Sequence, residues 1–489
     1  MGRYSFFVSF AHATVSLQRF NFGTINRNHS MSERIIILGA GPTGLGAAYR
    51  LQEKGFTNFC LYERNPYIGG LAASFKDEQG FTWDFAVHVA HSHYHYVDRL
   101  MDDLLPDGFF HHERRSWVRE YDTYIPYPFQ NNIRHLPPAF VQECIEGIRE
   151  VQTRATDAKP RNFEEWVHAV FGAGIARHFM IPYNRKIWSI DPREMGYQWI
   201  GDRVPTVDLG RILRNIEQGR DDVAWGPNHT FQFPKKGGTG AIWRKLADRI
   251  APERIKLGTS LVALDVANRL ARFDDGTTEH FAHLISTIPL IRLAEMTGKA
   301  PLIQRARQLR YTHVQVVGVA PSTPIPDSLR DKTWIYTPEE KAPFYRVTPF
   351  SIFSPDHVPD PSKQCSFLCE ISYPGTDRAE RRDMTAATLK GLRDIGLVDC
   401  DPSTTHIHNM WAEFGYPVPT TDRDAILNDV LPELETMRLY SRGRFGGWKY
   451  EVANMDHSLM QGVEVVDRIL DGATEVTLPT PNIVNAGKR

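Results

Sequence analysis

The stretch Arg34-Ile35-Ile36-Ile37-Leu38-Gly39-Ala40-Gly41-Pro42-Thr43-Gly44, followed by Ala47, Ala48 and Leu51, decides the fold. Its apolar first half reads as a short buried strand, its glycines as a tight turn, and the residues after them as a helix. Gly39 permits the turn, Gly41 lets a pyrophosphate approach the backbone, and Gly44 lets helix and strand pack closely. Thr43 lies in the first helical turn, whose N-terminus faces the phosphates. The next strand, residues 59–62, ends in Glu63, where a carboxylate accepts ribose hydroxyls. A lone GxGxxG is weak evidence. Between strand and helix, with an acid closing the following strand, it makes a bland glycine turn a poor reading.

Arg64 and then Gly69-Gly70-Leu71-Ala72 follow, a second glycine pair beyond the acidic strand. In flavoproteins of the glutathione-reductase type such a pair lies against the cofactor, which implies contact through Gly70 and Leu71 here, so the resemblance favours FAD over NAD. A later strand-rich stretch agrees. Residues 260–266, with Val262, and 270–273 precede 284–289, an apolar strand that carries Thr287 and breaks at Pro289. This segment resembles the strand that returns to the dinucleotide in that superfamily. The fold class expected is α/β, with a discontinuous Rossmann-like FAD-binding domain of the glutathione-reductase type (31–110, 225–300 and 430–489). To it are added a helical substrate domain (130–220) and an antiparallel or mixed β-sheet domain (305–425). Phe140, Val141, Cys144, Ile145, Ile148 and Val151 form one helical stripe, and Asn162, three residues before Glu165, reads as a helix cap. Asp456-His457-Ser458 opens an amphipathic C-terminal helix with an acid at its start.

A chain of 489 residues with 42% hydrophobic and 24% charged side chains buries a sizeable core. Its 57 basic and 58 acidic residues nearly cancel, so no global field favours nucleic acid or an anionic membrane, and an anionic ligand must be held by local arginines. No apolar run reaches the roughly 20 residues of a membrane helix. The five cysteines (60, 144, 365, 369 and 400) contain no CxxC pair, which argues against a disulfide framework or zinc site and for a reducing, cytoplasmic interior. Residues 1–30 carry Arg3, Arg19 and Arg27 and no acid. They read as a loose tail or as sequence ahead of a start at Met31, with an organelle transit peptide as the competing reading. Oligomeric state is left open, with a homo-oligomer among the possibilities.

Longer motifs follow: Tyr127-Pro128-Phe129-Gln130-Asn131-Asn132, Pro182-Tyr183-Asn184 with Trp188, Trp225-Gly226-Pro227-Asn228, Gly237-Gly238-Thr239-Gly240, Phe344-Tyr345-Arg346 and Ser441-Arg442-Gly443-Arg444-Phe445-Gly446. In this order, from about residue 33 to 485, the chain resembles UDP-galactopyranose mutases of the eukaryotic type. The resemblance implies conversion of UDP-galactopyranose to UDP-galactofuranose by reduced FAD, whose N5 attacks the anomeric carbon in place of UDP. It assigns the UDP pyrophosphate to Arg203 and Arg346. The uridine end falls to Phe179, Tyr127, Gln130, Asn184 and Trp188, and the sugar-phosphate region to Asn228, Trp334, Tyr336, Tyr416 and Tyr450. Asn454 and the start of the last helix would approach the flavin, where a helix N-terminus suits the anionic edge of the reduced ring. NADPH is the implied reductant, received by Arg114, Ser116, Tyr127 and Arg444.

The family usually places two glycines before a histidine beside the flavin, in a loop that shifts on reduction. Here Ala86 and Val87 precede His88. If that loop uses positive φ, Val87 is strained by about 1–3 kcal/mol, which puts the redox-linked motion and the mutase activity in doubt. His91, His93 and His95 alternate and would face one side of a strand, inviting a metal reading. No Cys or carboxylate set completes such a site, so no metal is expected, and His88 is expected beside the flavin. Two other functions remain open: an oxidase like amine oxidases or protoporphyrinogen oxidase, and a flavin-loaded nucleotide-sugar binding protein that has lost turnover.

Overall fold

The computed structural model describes residues 33–153, 158–201, 204–223, 229–375 and 381–489. Its organising element is a parallel sheet of five strands, in the order Leu439–Ser441, His283–Ser286, Ile35–Leu38, Phe59–Glu63 and Ile255–Leu257. The central strand is buried on both sides. Ile35 and Ile37 join a core with the helices Pro42–Glu53 and Met455–Asp471, whereas Ile36 and Leu38 join a second core beneath the helices Leu290–Met296 and Arg423–Thr436. This double burial explains why the strand reads as an unbroken apolar run with no alternation. The two helices of the first layer touch backbone to backbone: a Cβ at Gly462 would lie 2.0 Å from the Thr43 carbonyl oxygen, and one at Gly46 would lie 2.6 Å from that of Leu459. The last helix is thereby clamped against the glycine turn, and its N-terminus is carried to the carboxyl end of the sheet, where ligands of such folds bind.

A second, seven-stranded sheet runs in the order His406–Pro417, Tyr311–Ala320, Phe367–Pro374, Arg346–Pro349, Trp334–Tyr336, Ser116–Glu120 and Thr123–Pro126. It is antiparallel except where Trp334–Tyr336 pairs in parallel with Ser116–Glu120. The last two strands come from a segment outside 305–425, so this sheet, like the first, is assembled from distant stretches. The helices Pro138–Thr153, Phe163–Ile175, Ile181–Trp188 and Leu209–Gln218 pack beside it. Asn162 caps the second of them by accepting the Glu165 amide at 2.9 Å. Gly147, Gly172 and Gly174 let the first two helices cross at backbone contact, and Gly172 sits at φ 76°.

Two expectations fail here. His91, His93 and His95 do not share a strand face, because His95 opens the helix His95–Leu104 and 91–94 forms no strand. Hydrogen bonding across the fold overrides the local alternation: Asp456 accepts both the His93 amide at 2.9 Å and its Nδ1 at 2.7 Å, drawing that ring onto the last helix. Nor are Ala86 and Val87 strained, since neither adopts positive φ. The loop follows a path that β-branched residues accept. The expectations for residues 1–30, Arg203 and Asn228 lie outside the described residues.

Candidate active site

At the carboxyl end of the parallel sheet the molecule opens into a cavity of about 640 Å³, a size usual for a cofactor site. Gly39, Gly41, Thr43, Glu63, Gly70, Leu71 and Thr287 all line it. Gly39 turns at φ 99°, which an L side chain rarely adopts. A Cβ on Gly70 would come within 3.3 Å of the Gly41 Cα, so the second glycine pair lies directly against the first turn. Gly44 serves packing, since a Cβ there would fall 1.8 Å from the Gly39 carbonyl oxygen. Gly41, the N-cap, carries no side-chain capping bond, so the first-turn amides at Thr43 are presented to the cavity. Glu63 is held beside the glycine turn by the Ala40 amide (2.8 Å) and by Asn65. A carboxylate, a glycine turn with helix amides and the N-terminus of a second helix, all lining one cavity, fit an extended dinucleotide.

Two cofactor assignments are placed differently. Val262 is 49% exposed, on the strand Leu261–Asp265, and the chain meets the cavity through Thr259, Ser260 and Leu261 instead. Alternation along a strand turns its side chain outward. Asn454 is the exposed N-cap of the last helix, and its neighbours Ala453 and Met455 line the cavity, joined by Ser458.

The lining also includes Phe85, His88 and Arg444. Burial, followed by the charges of Arg444 and Arg346, holds the His88 imidazole down to about 4, so it is neutral at physiological pH. Its Nδ1 lies 3.0 Å from the Ala86 carbonyl oxygen and must donate to it, leaving Nε2 as the acceptor.

Beyond His88 lie two aromatic groups. In one, Arg444 sits 5.1 Å from the Tyr416 ring and 5.7 Å from that of Tyr450, and Trp188 packs edge-on against both tyrosines. In the other, Tyr127 meets Tyr336, Tyr336 meets Tyr183, and Tyr183 stacks on Phe179, while Arg114 lies over Tyr127 and Trp334. Arg114 donates from Nε to Ser116 Oγ at 3.2 Å, and no ion-pair partner for it is found among the described residues. Gln130 donates to the Pro205 carbonyl at 2.8 Å, but its own buried Oε1 has no partner among the described residues. Asn184 is spent internally, donating to Met180 and accepting from Trp188.

Arg346 stands between the groups. Its Nε and Nη2 grip both oxygens of Glu370 at 2.7 and 2.8 Å, and Glu370 is fully buried and also accepts the Tyr345 hydroxyl at 2.6 Å. Burial works against the Arg346 cation, yet Glu370 keeps it charged, well above its ordinary range. The guanidinium is locked by one edge, and no hydrogen bond from its Nη1 is found among the described residues. Sequence reasoning missed Glu370, Tyr345 and Tyr183 as site residues. The one available signal for Glu370 was an acid set inside the apolar run of the strand Phe367–Pro374.

Among the described residues, His93, Asp456 and His457 bring three ligand-type atoms within 4.8 Å of one another. The His93 to Asp456 hydrogen bond and the stacking of the two imidazoles at 4.6 Å account for the arrangement as a tether for the last helix. All five cysteines are buried and unpaired, and no helix among the described residues is long and apolar enough to cross a membrane.

Comparison with known proteins bears on this geometry. Residues 42–470 match the family described as flavin containing amine oxidoreductase. The chain is 39% identical to a crystal structure of reduced UDP-galactopyranose mutase, over 93% of this chain and 98% of that one, with a TM-score of 0.89. It is also 25% identical over 229 residues to the probable UDP-galactopyranose mutase of Klebsiella pneumoniae, covering 43% of this chain and 52% of that protein. Over 272 residues it is 22% identical to the probable flavin-containing monoamine oxidase A of Dictyostelium discoideum, covering 52% of this chain and 57% of that protein. The chain thus spans little more than half the length of these two curated relatives. With a cavity shaped for FAD and a match along nearly the whole of a solved mutase, the chain belongs to the flavin-containing amine oxidoreductases and, within them, to the UDP-galactopyranose mutase group.

Proposed function

We propose that this protein is an FAD-dependent UDP-galactopyranose mutase of the eukaryotic type, interconverting UDP-galactopyranose and UDP-galactofuranose. The observation that carries the reading is the likeness to the reduced mutase over 98% of that chain. The site supports it by joining Arg444, and the tyrosines 416 and 450 packed on it, to the flavin cavity that His88 lines.

Reduced flavin, when bound, supplies a nucleophile at N5 for the anomeric carbon of the sugar. The chain's task is to hold the nucleotide and absorb charge as UDP departs. Arg346 offers Nη1 to the diphosphate, fixed in advance by Glu370, so little reorganisation is needed when negative charge develops there. Arg203 is the second guanidinium assigned to the same diphosphate by the family resemblance, and Asn228 a second contact near the sugar. Phe179 and Tyr183 give a stacking face for the uracil, and the free Oε1 of Gln130 suits a ring N–H. Tyr416, Tyr450 and Tyr336 enclose the sugar-phosphate and exclude water. Neutral His88 presents an acceptor beside the flavin without adding positive charge to the site.

NADPH is the proposed reductant. Arg114 and Ser116 offer its phosphate a cation that no described carboxylate has claimed. Five unpaired cysteines support a reducing, cytoplasmic setting.

The test is an anaerobic assay of the dithionite-reduced, FAD-loaded protein with UDP-galactofuranose, followed by chromatography. Appearance of UDP-galactopyranose is expected from reduced protein and not from oxidised protein. UDP-galactofuranose left unchanged by the reduced protein overturns the assignment, and substrate-dependent oxygen consumption without prior reduction would point to an oxidase.

A further inference from the structure

The motif Gly237-Gly238-Thr239-Gly240 lies outside the lining of the flavin cavity, yet its glycines are demanded by close approach. A Cβ on Gly238 would lie 2.4 Å from Ser74 Oγ and 2.5 Å from Asp84 Oδ1, and one on Gly240 would lie 2.4 Å from the Ser74 amide nitrogen. The glycines therefore bring this loop onto the hairpin formed by Ser74–Lys76 and Thr82–Asp84. Bonds then close the contact. The Gly240 amide donates to Ser74 Oγ at 2.7 Å, the Thr239 amide donates to Asp84 Oδ2 at 3.3 Å, and Ser74 and Asp84 bond to each other through their side chains. Arg244 fastens the two sides by donating to the carbonyls of Ser74 and Gly237.

The Thr239 side chain is fully buried, and its hydroxyl, which also lies close to the Asp84 carboxyl, donates to the carbonyl oxygen of His88 at 2.6 Å. Downstream, Ala90 exchanges two backbone bonds with Gln232, at 2.8 and 3.0 Å. From 84 to 90 the loop that carries His88 is thus pinned at its start by Asp84, at its end by Ala90 and in the middle by a single hydroxyl.

We propose that Thr239 is the positioning residue for His88. Its hydroxyl fixes the peptide after His88, so that the imidazole, tied by Nδ1 to Ala86, keeps Nε2 turned to the flavin side of the cavity, while Ser74 and Asp84 hold Thr239 from behind. The proposal rests on the mutase reading only for the turnover it predicts. The geometric claim stands on the FAD-loaded protein alone.

The experiment compares Thr239→Val, which keeps the shape and deletes the hydroxyl, with Thr239→Ser, which keeps the hydroxyl. Carbethoxylation of His88 in the FAD-loaded protein is followed by peptide mapping, together with the flavin absorption spectrum and the kcat and KM of mutase turnover. In T239V the reactivity of His88 is expected to rise several-fold and the flavin bands to move. Its kcat is expected to fall about 10- to 100-fold, the usual loss when a reacting group is misplaced by about an ångström, with KM within twofold. T239S is expected to restore all of these towards wild type. Should T239V fail to fold, Ser74→Ala, which loosens the support of Thr239, is read in the same way and is expected to shift each quantity in the same direction. Wild-type His88 reactivity and flavin spectrum in T239V, or a T239S protein as altered as T239V, overturns the proposal. If reduced wild type is inactive, the function assignment fails while the His88 reactivity still decides this one.

Discussion

Replacing Arg346 by lysine separates the two jobs of that side chain. The guanidinium spends Nε and Nη2 on Glu370 and, on the proposed function, gives Nη1 to the diphosphate; its side chain is 19% exposed while that of Glu370 is not exposed at all. A lysine ammonium is one point charge and must choose. Leaving the buried Glu370 carboxylate unpaired costs about 3–5 kcal/mol, whereas giving up one charge-assisted bond to a partly solvated diphosphate costs about 1.5–3 kcal/mol. The ammonium should therefore stay with Glu370. UDP affinity should then fall roughly 10- to 150-fold while most of the stability is kept. Arg346→Ala loses both partners and should show weak UDP binding together with a stability loss of about 3–5 kcal/mol. The assay is titration calorimetry of UDP into anaerobic, reduced, FAD-loaded protein, with thermal unfolding of each variant in parallel. Wild-type UDP affinity in R346K removes Arg346 from the diphosphate site, and wild-type stability in R346A refutes the reasoning about Glu370.

Three further outcomes are expected. In Gly174→Ala the new Cβ would stand 2.6 Å from the Cys144 Cα, so the crossing of the two helices must spread at a cost of about 1–3 kcal/mol. Calorimetric unfolding would show it, and an unchanged melting temperature would mean the crossing is looser than described. Arg442 is 3% exposed, holds both oxygens of Glu475 and reaches Glu435 at 2.7 Å. Arg442→Ala should cost about 3–5 kcal/mol in denaturant unfolding, and an unshifted midpoint would show the network to be dispensable. Burial pushes the Asp84 carboxyl up to about 6, against about 3.9 in an unfolded chain. The neutral form is thus favoured by folding. The stability it contributes is complete below about pH 4 and is lost, to about 3 kcal/mol, as pH rises through 6. Asp84→Asn is neutral throughout, so its stability relative to wild type should climb between pH 4 and 6 and level off above 7. A difference independent of pH would contradict the raised value.

What the sequence determined by itself was local. The run from Ile35 to Leu38, the glycines at 39, 41, 44 and 70, Glu63, Thr43 and the cap at Asn162 act through neighbours a few residues away in the chain or through a close strand partner. Their roles follow from dihedral freedom, hydrogen-bond valence and burial. The motifs shared with a known family carried the site further, because residues far apart such as Tyr127, Tyr336, Tyr416 and Arg346 are named together there. The tertiary structure alone decided what depends on approach between distant segments. It drew His93 out of a strand pattern onto Asp456 and turned Val262 to solvent. It set Glu370 behind Arg346, and it packed Gly238 and Gly240 onto a hairpin. These outcomes turn on separations of a few tenths of an ångström between atoms remote in sequence. No periodicity encodes such distances, and only the packed chain realises them.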